Sequence, residues 1–130
     1  MLTGHYEQIQ DNYSSPSPIA RIKVSNPYSS KNEVKNVKAI LDTGGGITCI
    51  PQSIIKELGS FVYTTIKVRS PLDINKIILR RLYSVIIEFD GQENAVEVLD
   101  IPKDYAIIGR NILNNYKIIL NGPEETWSIE

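Results

Sequence analysis

The chain has 130 residues, 42% of them hydrophobic and 22% charged, with a formal net charge of -1. That length argues for one domain with a real core, burying about two-thirds of the surface the unfolded chain exposes. The near-neutral total gives a nucleic-acid partner no electrostatic support, the apolar runs are far too short for a membrane-spanning helix, and one cysteine with one histidine builds neither an intrachain disulfide nor an ordinary zinc site.

Taken in chain order, residues 1–18 are polar and carry a Ser-Ser-Pro-Ser-Pro cluster, so they read as a flexible N-terminal arm ahead of a domain over 19–130. In a dimer such an arm could add a strand to a partner's edge. No basic-then-apolar leader is visible, so no signal peptide is expected. Ile19 to Val24 alternates apolar and polar residues with the period of a strand. Asn26 to Asn32 reads as a turn or loop, and Val34 to Leu41 as the next strand. That strand ends in Ala39-Ile40-Leu41-Asp42-Thr43-Gly44-Gly45-Gly46. A buried strand running into Asp-Thr-Gly delivers a carboxylate on a tight turn. Its glycines permit φ > 0 and close approach of another backbone, and its hydroxyl can fix the loop by hydrogen bonds.

Ile47 to Ile50 reads as a short strand closed by Pro51, with Cys49 as a small core residue. Ser53 to Leu58 forms one or two helical turns, with Ser53 as N-cap and Gly59 as the stop. Phe61 to Arg69 alternates again, and Ser70 to Asn75 forms a hairpin tip. Ile77 to Leu82 and Ser84 to Phe89 are strands, Asp90-Gly91 is a strong hairpin signal, and Ala95 to Leu99 returns. Lys67, Arg69, Lys76, Arg80 and Arg81 read as a solvated strand face rather than a nucleic-acid patch. Ala106 to Ile108 is a short buried strand, followed by a short helix over Asn111 to Tyr116. Lys117 to Leu120 and Thr126 to Ile129 are two final strands, with Trp127 as packing. Many short strands with regular turns and one or two short helices predict an all-β barrel or sandwich.

Two segments carry a family resemblance. Ala39-Ile40-Leu41-Asp42-Thr43-Gly44, continuing through Thr48, Ile50 and Pro51, together with Ile107-Ile108-Gly109-Arg110-Asn111-Ile112-Leu113, resembles the retropepsin-like aspartic proteases, the single-lobe relatives of pepsin. The resemblance covers about Ile19 to Ile129. It implies a closed, barrel-like retropepsin fold and an aspartic endopeptidase without metal or other cofactor. Asp42, Thr43 and Gly44 would be the catalytic segment. Gly45, Gly46 and the flap residues Ser70, Pro71 and Leu72 would bind substrate. Ile108, Gly109 and Arg110 would support the site, Arg110 as a structural residue paired to a carboxylate at the base of the dimer. Only one Asp-Thr-Gly is present, and a carboxylate dyad needs two. The reading therefore requires a symmetric homodimer with one Asp42 per chain. Expected partners are a second copy and a peptide or protein substrate, with neither nucleic acid nor membrane. The cytoplasm is the expected location.

Two departures from the family pattern motivate an alternative. Gly45 and Gly46 stand where the family usually has Ala and then Ser or Asp. The flap tip is Ser70-Pro71-Leu72-Asp73, where retroviral flaps are glycine-rich. A catalytically silent module for dimerisation or peptide binding is the second reading.

Overall fold

The computed structural model describes residues 2–9, 14–60, 62–70 and 72–130. Ten strands and two short helices follow one another as β1 (Leu2–Glu7), β2 (Ser17–Asn26), β3 (Ser29–Leu41), β4 (Cys49–Pro51), α1 (Gln52–Leu58), β5 (Val62–Arg69), β6 (Ile77–Phe89), β7 (Gln92–Ile101), β8 (Ala106–Ile108), α2 (Arg110–Leu113), β9 (Ile118–Asn121) and β10 (Thr126–Ile129). The expected all-β class with one or two short helices holds.

The strands form one sheet in the order β5-β6-β7-β4-β8-β3-β2-β1-β10-β9. A further pairing of β6 with β2, Lys23 to Ser25 against Ile86 to Glu88, closes six of them into a ring. Strand β5 extends the ring on one side as a hairpin with β6, and β1, β10 and β9 extend it on the other. Apolar side chains from the ring strands fill its interior, among them Ile22, Val24, Val85, Ile87, Phe89, Val98 and Ile108. Burial of this apolar surface is the main favourable term holding the ring closed. Phe89 anchors it, edge-on to Tyr116 with centroids 5.1 Å apart and stacked on Trp127 at 6.3 Å.

Local chemistry explains the turns. Asp90 and Gly91 both have positive φ, 55° and 70°, which matches the right-handed twist of the β6–β7 hairpin. Gly59 ends α1 in the left-handed region, and its N–H bonds the Lys56 carbonyl. The buried Asn26 side chain donates to the Leu58 carbonyl at 2.9 Å, so β2 holds the end of α1.

Several expectations are corrected. The first is the loose N-terminal arm, because Leu2–Glu7 is strand β1, inserted between β10 and β2 of its own chain. The sequence conceals this because only Leu2 and Tyr6 pack on the core, and the pairing partner lies at the far end of the chain. Gln10 to Tyr13 lie outside the described residues, as do Met1, Phe61 and Pro71. The expected loop over Asn26 to Asn32 shrinks to Pro27-Tyr28, since β3 begins at Ser29. Strand β6 runs unbroken through Tyr83, because its two halves pair with different neighbours. Helix α1 starts at Gln52 with Pro51 at the N-cap position and no side-chain cap, so Ser53 does not cap it.

Strand β1 is fixed by one close approach. Gly4 pairs with Trp127, whose indole is buried and donates from Nε1 to the Ile19 carbonyl at 2.9 Å. A Cβ at Gly4 would collide with that ring. Gly4→Ala should therefore destabilise the protein by about 1–3 kcal/mol through overpacking. Denaturant unfolding followed by Trp127 fluorescence measures this, and an unchanged midpoint would mean that β1 is not packed on Trp127.

Candidate active site

The site is assembled where β8 enters the sheet between β3 and β4. Ala39 to Leu41 run parallel to Ala106 to Ile108, and Cys49 pairs antiparallel with Ile107. The chain leaving β3 must therefore cross the end of β8 before it can start β4. That crossing segment is Asp42 to Thr48. Its position is set by backbone hydrogen bonds from both sides of the gap. Asp42 N–H donates to the Ile108 carbonyl at 2.9 Å, and Arg110 N–H donates to the Gly45 carbonyl at 2.8 Å.

Within the loop, Gly45 N–H donates to the Asp42 carbonyl at 3.2 Å, and Gly44 N–H donates to Asp42 Oδ1 at 3.0 Å. The carboxylate is thus oriented by its own turn, half-buried, while Thr43 and Gly44 are exposed. The glycines act through space rather than through φ. Among the described residues the glycines of positive φ are Gly59 and Gly91, so the expected left-handed turn at Gly44 is not used. A Cβ at Gly44 or Gly45 would instead press on the Asp42 carboxylate oxygens, at 3.3 and 3.1 Å.

Gly109 is buried beneath the loop. A Cβ there would lie 2.8 Å from Ile47 C and 3.0 Å from Gly45 O, which no side chain can satisfy. Ile108 is fully buried behind it. Arg110 is exposed, and its Nη1 donates to the Thr43 carbonyl at 3.0 Å. Within this chain no carboxylate of the described residues pairs with Arg110; the pairing expected at the base of a dimer concerns a second copy.

Two further residues hold the loop and were not singled out as site residues by sequence. Thr48 is fully buried. Its Oγ1 donates to Asn111 Oδ1 at 2.6 Å and accepts from Gly109 N–H at 3.0 Å. Asn111 Oδ1 also accepts from Thr48 N–H at 3.0 Å, while its Nδ2 donates to the Glu97 carbonyl at 3.2 Å. The available signal was a hydroxyl inside the apolar run Ile47 to Ile50, since a buried polar group demands a partner.

Cys49 is half-buried rather than a core residue, because β4 turns Thr48 and Ile50 inward. Burial pushes its thiol up, opposed by the Arg80 guanidinium and assisted by the Asp42 and Asp100 carboxylates. Such a thiol carries little thiolate at neutral pH, which disfavours a nucleophilic role. The flap residues stand apart. Ser70 and Leu72 lie at the tip of the β5–β6 hairpin, where Ser70 N–H donates to the Lys76 carbonyl at 2.8 Å, and Leu72 is 96% exposed. None of their hydrogen bonds reaches the Asp42 loop. Of the five cations on this hairpin, Lys67, Arg69, Lys76 and Arg81 are exposed, and Arg80 is half-buried against Asp100.

Comparison with known proteins agrees with this geometry. The family model described as retroviral aspartyl protease matches residues 14–121, and the chain belongs to that family. Simian foamy virus (mac) protease is similar in structure, with a TM-score of 0.52, 18% identity, and 73% of this chain and 92% of that one covered. EIAV protease, solved with the inhibitor HBY-793, gives a TM-score of 0.55 at 16% identity, covering 82% of this chain and 93% of that one. A foamy viral protease-reverse transcriptase, solved with an RNA/DNA hybrid, gives 0.53 at 26% identity, covering 77% of this chain but 12% of that one. No curated protein matches the chain significantly. Among the described residues no group of three or more His, Cys, Asp or Glu could hold a metal ion, and no helix is long and apolar enough to cross a membrane.

Two outcomes follow. Thr48→Val should leave the buried Gly109 N–H without its acceptor and cost about 1–3 kcal/mol. Thermal or denaturant unfolding measures this, and a neutral effect would remove Thr48 from the framework of the loop. Because burial raises the thiol, Cys49 should alkylate more slowly at neutral pH than an exposed cysteine, with its rate still climbing above the ordinary thiol range. Iodoacetamide labelling against pH reads this directly, and a fast, pH-flat reaction would contradict it.

Proposed function

We propose that this chain is an aspartic endopeptidase, active as a homodimer in which two Asp42 carboxylates face one another. The observation that carries the reading is the single Asp42, held at the end of β3 by the Ile108 carbonyl and the Gly44 N–H, in a chain of the retroviral aspartyl protease family. One chain supplies one such carboxylate, and a two-fold axis supplies the second at no further cost in sequence.

Two carboxylates a few ångströms apart do not both ionise easily, so the pair keeps one proton. The ionised Asp42 takes a proton from a water lying between them, and the water oxygen bonds to the scissile carbonyl carbon. The protonated Asp42 gives its proton to the carbonyl oxygen, forming a tetrahedral diol. Proton return to the peptide nitrogen then breaks the C–N bond and restores the shared proton. Gly44 and Gly45 serve this chemistry by keeping side chains off the Asp42 oxygens. Thr43, next to Asp42 and exposed, is available to brace the partner loop. The β5–β6 hairpin, with Ser70 and Leu72 at its tip, would close over an extended peptide.

The test is cleavage of an unstructured protein from about pH 3 to about pH 7 by wild type and by Asp42→Asn, at several enzyme concentrations. Wild type should cleave best on the acid side, because deprotonating the pair removes its acid. The variant should lose about a hundred- to ten-thousand-fold in rate, the usual worth of acid–base groups. Specific activity should fall on dilution as dimers separate. Undiminished cleavage by the variant would sink the assignment. A folded wild-type dimer that binds peptide but cleaves at no pH would favour a silent binding module.

A further inference from the structure

The glycines around Asp42 differ in what demands them. Gly109 is required by backbone packing, and Gly44 and Gly45 by the carboxylate they face. Gly46 is required by neither. Its φ is not positive, and a Cβ there would meet only Arg110 Nη2, at an ordinary contact distance of 3.6 Å. Glycine at this position therefore serves no local need of the fold. Its physical consequence is to leave open the space in front of the Arg110 guanidinium.

That guanidinium is held but not neutralised. Nη1 is bonded to the Thr43 carbonyl, the side chain is exposed, and no carboxylate of the described residues pairs with it. Arginine presents donors in a planar fork that matches a carboxylate, so Nη2 at the open Gly46 position is a docking point for one. The bond to Thr43, next in sequence to Asp42, fixes this point beside the reacting carboxylate.

We propose that Arg110 is a substrate-binding residue that receives an acidic side chain of the peptide, and that Gly46 is the vacancy that admits it. The enzyme would thus select peptides with Asp or Glu within a few residues of the scissile bond. This rests on the peptide-hydrolase reading above. It also carries a pH sign. The guanidinium favours the ionised carboxylate, so the preference should be absent at about pH 3 and grow as the substrate group ionises near pH ~4.3.

The experiment compares matched peptides with Glu or Gln moved through each position flanking the cleavage site. Competition cleavage by wild type is read alongside binding to Asp42→Asn. One position should favour Glu about five-fold at about pH 6, the size of a well-formed exposed ion pair, and show a ratio near one at about pH 3. Gly46→Ala, whose methyl enters the space in front of Arg110 Nη2, should weaken the preference without abolishing it. Gly46→Asp, placing a carboxylate beside Arg110, should abolish it. Cleavage by wild type with no Glu preference at any position would overturn the Arg110 assignment and leave the protease reading standing. So would a preference that survives in Gly46→Asp, or a Gly46→Asp effect confined to the dimer dissociation constant, which would assign the docking point to the partner. No cleavage, but Glu-selective binding by Asp42→Asn that disappears when Gly46→Asp is added, would uphold Arg110 and overturn the protease. Neither cleavage nor selective binding would overturn both.

Discussion

The insertion of β8 between β3 and β4 is the constraint on which the site depends. Three residues of a late segment, Ala106 to Ile108, occupy the place that the next strand of the chain would otherwise take. The chain between β3 and β4 is forced to arch over Gly109, and the contact is so tight that only hydrogen fits between that Cα and the Ile47 backbone. An arch of this kind exposes backbone groups that sheet pairing would have satisfied. Thr48 and Asn111 restore them, one hydroxyl and one amide serving Gly109 N–H, Thr48 N–H and the Glu97 carbonyl. The carboxylate of Asp42 is then presented by a loop hydrogen-bonded at Asp42, Gly44 and Gly45.

Ring closure by β6 and β2 supplies the rigid base for that arch. The interior is apolar and filled, and its anchors Phe89, Tyr116 and Trp127 come from β6, the segment after α2 and β10. What extends beyond the ring is less covered. The β5–β6 hairpin carries exposed Ile74, Ile77 and Leu79 toward its tip, and β9 carries exposed Ile119 and Leu120 at the other end of the sheet. The packed ring, rather than these exposed margins, therefore fixes the position of the Asp42 loop.

The charges near Asp42 divide into two kinds. Arg80 is paired to Asp100, partly sheltered, and acts on Cys49 by lowering the thiol that burial raises. Arg110 is exposed, and among the described residues its guanidinium bonds the Thr43 carbonyl and no carboxylate. The first is a fixed part of the scaffold. The second retains the capacity to bind an anion, and the difference comes from whether a carboxylate of the same chain lies within reach.

Much of the fold was written locally. Alternation set the strands that run through Ile19, Val34 and Val62 onward, Asp90-Gly91 set a hairpin through two positive φ angles, and Gly59 ended its helix, because each depends on a few adjacent residues. The Asp-Thr-Gly segment and the Ile-Ile-Gly-Arg-Asn segment were legible for the same reason, and their pairing marked the family. Strand β1 was not legible, since a polar stretch becomes a strand only when Trp127 and β10, more than a hundred residues away, are there to receive it. Nor were the roles of Thr48 and Asn111, whose hydrogen bonds span 63 residues of sequence. By itself the sequence determined which residue types stand at the site and in what order. Only the tertiary structure decided what each glycine is for, because the same side-chain hydrogen packs against backbone at Gly109, against a carboxylate at Gly45 and against an open guanidinium at Gly46.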